Sequence, residues 1–353
     1  MIALERRPGP SGTMALCSPL LAIGLTLLTG AVMFASIGIE PVEGLRVYFL
    51  SPFADGYSRA ELVVKAVPLA LIGAGLAVSF RANVWNIGAA GQYTLGAVFA
   101  GWLALSVPEA ASKLWLLPYM AAGILGGMVW AAIPALLRTR FNANEILVSL
   151  MLTYVATLLL DFLVRGPWRD PQGFGFPQSR DFAEGFLMPL LLEPTRLHAG
   201  LFLALIAGLA LAVMMGRTIK GFEIAVIGAA PRAGAFGGFS QTGVTWFVLL
   251  LSGGLAGLAG AVEVSATIGQ LQPDIAAGYG FTAIIVAFLG RLNPAGALIG
   301  ALVLAVSYIG GENAQILLKL PKNVTFVFQG MLLFFLLASD TLIRYRLVLR
   351  RAA

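Results

Sequence analysis

Cysteine and histidine are almost missing from this chain of 353 residues, which holds only Cys17 and His198. That count argues against a disulfide framework, a zinc cluster and a Cys–His catalytic pair, so no metal and no cofactor of its own is expected. No G-x-x-x-x-G-K-[ST] run occurs, so any ATP used must be bound and hydrolysed by a partner subunit. The missing G-x-S-x-G run weakens a serine-hydrolase reading, and the chain is not expected to be an enzyme. Charge is scarce too: 11% of residues, against roughly 25% in a soluble domain. With 59% hydrophobic residues and a mean hydropathy of +0.88, the chain reads as an all-α polytopic membrane protein. A net charge of +6 would point to nucleic acid in a soluble protein. Here the basic residues lie between apolar spans, so the lipid bilayer is the expected partner and nucleic acid is not.

About ten transmembrane helices are expected, some short or broken. Residues 1–18, with Arg6, Arg7, Pro8 and Pro10, form a basic arm ahead of an uncleaved first span at 19–39. Residues 40–60 read as an outside loop. Further spans follow at 61–80, 85–107, 114–137, 144–164, 199–216, 243–264, 279–289, 295–309 and 324–339. Segments 265–278 and 312–323 fall outside, and a basic tail occupies 341–353 with Arg344, Arg346, Arg350 and Arg351. The membrane region is thus 19–340. Arg and Lys density places both termini in the cytoplasm. Lys65 reads as snorkelling from an outer span end, and Asp161 and Glu263 as solvated. Gly253, Gly254, Gly257 and Gly260 form a face suited to close helix packing. Arg81 and Arg291, each with an asparagine two residues later, hint at an internal duplication.

Three stretches are too polar for their surroundings. Ser79–Gly96 (SFRANVWNIGAAGQYTLG) carries Asn86 and Gln92 beside Gly88–Gly91. In lipid an irregular polar backbone survives only where protein covers it or where it lines a path. If the helix breaks there, both amides reach one cavity and suit a neutral polar ligand; the alternative is hydrogen bonding between helices. Asn144 and Glu145 begin a span, where they either cap the helix or face the path. Residues 165–198, rich in proline, form an external loop whose Trp168, Phe174 and Phe176 belong either to an interfacial aromatic belt or to a docking surface. Residues 217–242 form an amphipathic, glycine-rich cytoplasmic loop.

Five pieces in order carry a resemblance. They are FRANVWNIGAAGQYTLGA (Phe80–Ala97), NEILVSLMLTYVA (Asn144–Ala156), FEIAVIGAAPRAGAFGGF (Phe222–Phe239), AGLAGAVEVSATIG (Ala256–Gly269) and GYGFTAIIVAFLGRLNPAG (Gly278–Gly296). Together they resemble the permease subunit of bacterial ABC importers for nucleosides and simple sugars, across residues 62–339. The resemblance implies a multi-pass protein of the bacterial inner membrane, working with an ATP-binding-cassette ATPase, a substrate-binding protein and a second homologous permease, as homodimer or heterodimer. It implies a substrate path near Asn86, Gln92, Asn144 and Glu145. The amphipathic start and the turn at 228–231 make 217–242 the expected ATPase-coupling segment, with Glu223, Gly228, Pro231 and Arg232 as the contact residues; the alternative is an interfacial helix on the inner leaflet, where Arg217 and Lys220 would suit anionic lipid. Docking of the binding protein would fall to Trp168, Phe174 and Phe176. Ala90 stands where the family often has an acidic residue, Thr153 where it often has asparagine, and Ala230 where it often has asparagine before proline. The competing reading is an ion-coupled secondary transporter, which would need intramembrane carboxylates that are scarce here.

Overall fold

The computed structural model describes residues 2–7, 12–108, 111–276 and 278–349. Pro8, Pro10, Arg350 and Arg351 of the expected basic ends lie outside the described residues. Ile2–Arg6 (β1) is a short strand, and the long helices follow it. Helices α1 (Gly12–Ser36), α2 (Pro41–Phe49), α3 (Gly56–Arg81), α4 (Ala89–Ser106), α5 (Leu116–Phe141) and α6 (Glu145–Arg165) make up the first half. The second half contains a small hairpin, β2 (Leu190–Leu192) with β3 (Leu197–His198). It continues with α7 (Gly200–Arg217), α8 (Ile219–Ala229), α9 (Pro231–Phe236), α10 (Gln241–Glu263), α11 (Tyr279–Leu289), α12 (Pro294–Leu317), α13 (Asn323–Arg344) and β4 (Tyr345–Leu349).

The fold is all-α, and ten helices occupy the stretches expected to span. Among the described residues eight of these are long and apolar enough to cross a membrane. The other two are α4, diluted by Gln92, Tyr93 and Thr94, and the eleven-residue α11.

Residues 60–303 form one compact unit. Its centre is the trio α4, α5 and α10, which meet backbone to backbone through glycine. A Cβ on Gly257 would fall well inside 3.0 Å of the Gly123 carbonyl oxygen, and one on Gly127 would meet the Gly253 carbonyl the same way. The expected glycine face on α10 is therefore a packing face, as membrane helices require when lipid gives no hydrophobic drive between them. Helix α3 passes through the middle of the unit, with 89% of its apolar window buried, whereas α6 and α7 bury 22% and present leucine and phenylalanine outward.

Residues 1–59 and 304–353 form a second unit. Helix α1 packs with α13 around Phe34, Tyr48 and Phe328, whose rings lie 4.2 to 5.5 Å apart. The Tyr48 hydroxyl hydrogen-bonds Ser307 Oγ at 2.8 Å. Strands β1 and β4 pair antiparallel, Ile2 opposite Leu349, and draw the two ends of the chain together.

Several boundaries differ from the sequence reading. Residues 40–60 are largely helical: Glu40 caps α2 by accepting from the Val42 and Glu43 N–H groups, and Pro41 starts it. Helix α1 begins at Gly12 rather than near residue 19. Helix α12 runs on to Leu317, so Glu312 is helical and the turn after it shrinks to residues 318–322. Helix α3 starts at Gly56, which puts Lys65 nine residues, or ~14 Å, into it. There Lys65 is half-buried with Nζ 6.0 Å from the Tyr279 ring, not at a span end. Glu263 is buried rather than solvated, and α10 continues as one π-helical turn over Val264–Ile268.

Candidate functional site

Helix α3 ends because Asn83 takes a left-handed conformation, φ 55°, which asparagine tolerates better than most residues. The Ser79 hydroxyl donates to the Val84 carbonyl at 2.8 Å, and the Val84 N–H returns to the Ser79 carbonyl at 3.1 Å. From Asn83 to Gly88 the backbone is irregular, and α4 starts at Ala89. The break therefore lies before the small-residue run, which is itself helical from Ala89 onward.

That break brings the two amides together. Asn86 Nδ2 donates to Gln92 Oε1 at 2.8 Å, and Gln92 Nε2 donates back to Asn86 Oδ1 at 3.0 Å. Asn86 Nδ2 also donates to Ser252 Oγ of α10 at 2.9 Å, while Oδ1 accepts from the Gly88 N–H at 3.2 Å. Asn86 is 0% exposed and Gln92 1% exposed. A reciprocal amide pair of this kind is the buried form in which polar groups cost least. Ser252, 166 residues from Asn86, is the partner that sequence reasoning missed.

Helix α6 closes against this turn. Gly88 approaches Ser149 and Gly91 approaches Thr153 so closely that a Cβ on either would fall inside 3.0 Å of α6. Asn144 caps α6, its Oδ1 accepting from the Ile146 N–H at 2.9 Å and the Leu147 N–H at 3.4 Å. Glu145 forms an ion pair with Arg138 of α5, and its Oε1 also accepts the Trp85 N–H at 3.3 Å. The Trp85 indole forms a three-ring cluster with Phe80 and Phe288, centroids 5.0 to 6.1 Å apart, and donates from Nε1 to Asn83 Oδ1 at 3.1 Å. Ala90 is buried against α11: a Cβ on Gly280 would fall 2.5 Å from its Cα. Asn86, Gln92 and Glu145 thus take part in one polar connection, whereas exposed Asn144 turns its side chain onto the start of its own helix.

The segment 217–242 reaches the same connection from its other side. Thr218 caps α8, accepting from the Gly221 N–H at 3.2 Å, and Lys220 pairs with Glu223 at 2.9 Å. Gly228 lies directly on the Arg81–Ala82 turn, where a Cβ would collide with the Arg81 carbonyl oxygen and come 3.0 Å from Ala82 Cα. Pro231 begins α9, and Pro231 and Arg232 are both exposed. Three large apolar residues of this segment, Ile219, Phe222 and Phe236, are also exposed, Phe236 at 96%.

Beyond the far end of α6, residues 165–198 fold over the α10–α11 connection. Ser179 exchanges two 2.9 Å hydrogen bonds with Leu271, and the Phe182 N–H donates to the Gly269 carbonyl at 2.8 Å. Phe174, held at φ 49°, is 99% exposed, and Phe176 is exposed beside it. Trp168 is half-buried. Arg196 forks onto the buried carboxylate of Glu61, with Nε to Oε1 at 3.0 Å. His198 is buried next to α7, its Nδ1 accepting the Gly200 N–H at 3.2 Å. Burial pushes its pKa down to about 4 against an opposing pull from Glu61, so the imidazole is neutral at pH 7.

Residues 58–337 match the family described as the branched-chain amino acid transport system, permease component. The glucose ABC transporter permease protein TsgB13 of Haloferax volcanii is 35% identical over 98% of this chain and 93% of its own length. The guanosine ABC transporter permease protein NupP of Bacillus subtilis is 29% identical, over 93% of this chain and 94% of its own. The nucleoside ABC transporter permease protein NupB of Lactococcus lactis is 28% identical, over 83% of this chain and 82% of its own.

Proposed function

The chain belongs to the permease-component family of the branched-chain amino acid transport system and is a transport subunit; from that premise we propose that it forms half of the path of an ATP-driven importer for a nucleoside or a simple sugar. The observation that carries the reading is similarity along almost the whole chain to permeases named for glucose, guanosine and nucleosides. An ion-coupled transporter is not supported, since each of these relatives is named as an ABC permease.

In this reading the energy comes from a separate ATPase subunit seated against α8 and α9. Glu223, Gly228, Pro231 and Arg232 belong to that contact, and the exposed Phe222 and Phe236 give it an apolar anchor of the helix-in-groove kind. Gly228 rests on the Arg81 turn, so displacement of α8 bears directly on the connection that holds Asn86, Gln92 and Ser252. The path runs beside that connection, and the neutral amides and hydroxyls there suit an uncharged ligand. Glu145 holds the neighbouring end of α6 to it through the Trp85 N–H, and Asn144 caps that end. A second, similar permease completes the path, and a binding protein docks on 165–198 through Phe174 and Phe176, with Trp168 as their support. The complex sits in the bacterial inner membrane with both termini in the cytoplasm.

The test is reconstitution of the four kinds of subunit in proteoliposomes, followed by uptake of labelled guanosine, adenosine and glucose. Uptake is expected only with ATP inside and with the binding protein outside. Accumulation by this chain alone under a proton or sodium gradient refutes the proposal.

A further inference from the structure

A cleft of about 490 Å³ opens where α4 and α6 end, lined by Trp102 and Ser106 of α4 and by Pro167, Trp168, Arg169 and Arg180. Arg169 and Arg180 are exposed, and among the described residues neither guanidinium forms an ion pair. Asp170 does not neutralise them; its Oδ1 accepts from the Gln172 N–H at 3.0 Å instead. The frame is fixed. The Trp168 N–H donates to the Leu163 carbonyl at 2.9 Å, and the Asp170 N–H donates to the Gln178 carbonyl at 2.8 Å. Arg169 also bridges to Ser179, which is tied to Leu271.

An apolar track leads along α6 toward this cleft. Phe162, Leu158, Tyr154 and Met151 are each more than half exposed. At 100° per residue they fall within about 80° of one helix face. Phe162 to Tyr154 is ~12 Å of helix, most of the ~15 Å of hydrocarbon in one leaflet. Tryptophan sits by preference at the boundary between hydrocarbon and water, and a guanidinium fork matches phosphate oxygens two at a time.

We propose that this cleft binds a phospholipid, with the headgroup phosphate between Arg169 and Arg180 and an acyl chain along α6. A carboxylate from a protein partner would satisfy the arginines but would leave the exposed apolar track of α6 without a partner. The proposal stands apart from the docking role of Phe174 and Phe176, and it holds whichever leaflet the cleft faces.

The probe is phosphatidylglycerol, titrated onto the full-length permease in detergent and followed by native mass spectrometry. Arg169→Gln/Arg180→Gln is expected to bind about tenfold more weakly than the parent, two charge-assisted bonds being lost. Arg140→Gln, at an exposed arginine on the end of α5, is expected to bind like the parent. Arg169→Lys/Arg180→Lys keeps the charge but loses the fork and should fall between them. If the double glutamine variant aggregates, Arg180→Gln alone is read the same way. Leu158→Ser, on the acyl track, should also weaken retention. Equal retention by the parent and the arginine variants overturns the proposal. Displacement of the lipid by excess inorganic phosphate overturns it in favour of a simple anion pocket. Displacement by a hexaglutamate peptide overturns it in favour of an acidic protein partner.

Discussion

Replacing Gly228 by alanine tests the proposed route of energy transmission at its narrowest point. The added methyl group would lie well inside 3.0 Å of the Arg81 carbonyl oxygen and 3.0 Å from both the Cα and the carbonyl carbon of Ala82, all of them backbone atoms. Neither neighbour is a side chain that can rotate away, so α8 or the Arg81 turn must move on the order of 1 Å, and overpacking of this kind costs typically about 1–3 kcal/mol. Against that, alanine in a helix is favoured over glycine by about 0.8–1 kcal/mol. The net loss of fold stability is therefore small, about 0–2 kcal/mol. The loss of coupling should be much larger, since the displaced contact is the one that meets the polar connection. Gly216→Ala serves as the control: it lies near the end of α7, and a Cβ there meets nothing within 4 Å. In the reconstituted complex, Gly228→Ala should keep basal ATP hydrolysis but lose most of its stimulation by loaded binding protein. Gly216→Ala should behave like the parent. If both variants couple normally, force does not pass through the contact of α8 with Arg81.

Three further outcomes follow from the geometry. Asn86→Ala or Gln92→Ala leaves the other amide buried and short of a partner, so each should lower unfolding free energy by about 1–3 kcal/mol and transport with it, while the double variant costs less than the sum; additive losses would mean the pair is not a unit. Gly257→Ala drives a methyl group into the Gly123 carbonyl, so the variant should fail to give a monodisperse peak in fluorescence-detected size exclusion, and a well-behaved peak would contradict the backbone contact. His198 titrates near 4 in the folded chain and near 6.5 unfolded, so the unfolded state binds the extra proton between these values and stability falls as pH drops through that window, by about 3 kcal/mol in all. Thermal unfolding against pH reads this directly, and His198→Gln should flatten the slope.

What the sequence made legible was local or periodic. Small residues at Gly253, Gly257 and Gly260 lie on one face of an apolar helix, and that face is where α10 meets α5 and α4. The cap at Asn144 depends on the next three residues only, so it could be read without a fold. Long-range partners were not legible. Asn86 and Gln92 announce an irregular turn, but nothing in the chain fixes the register of α10 against it, and hence nothing points to Ser252. Polar content misled in the stretch from residue 40 to 60, where Glu40 and Pro41 are a helix start rather than loop residues. The pair Gly310–Gly311 follows the residue where the span at 295–309 is expected to end. It is instead where α12 passes the Tyr48 backbone and Thr325, and packing of that closeness overrides glycine's preference for turns. The hint of duplication at Arg81 and Arg291 is not repeated in conformation: Asn83 is left-handed in one turn, whereas Arg291 and Leu292 are in the other.

The contacts that stayed hidden share a physical character. In lipid, helices are held together by close backbone approach and by hydrogen bonds rather than by expulsion of apolar surface. Gly228 on Arg81, Gly88 on Ser149 and Gly91 on Thr153 are contacts of the first kind, and the Asn86–Gln92–Ser252 set is of the second. Contacts of the first kind leave no flexible side chain between one element and the next. A side chain in such a place could change rotamer and absorb a small displacement, but a carbonyl facing a glycine cannot. The elements that meet around residues 81–92 are therefore bound to move together or to part discretely, which is what the proposed path, opened from one side by a partner subunit, would require. The same tightness explains why the three positions of contact are glycine, and why their identity follows from mechanical continuity as much as from space.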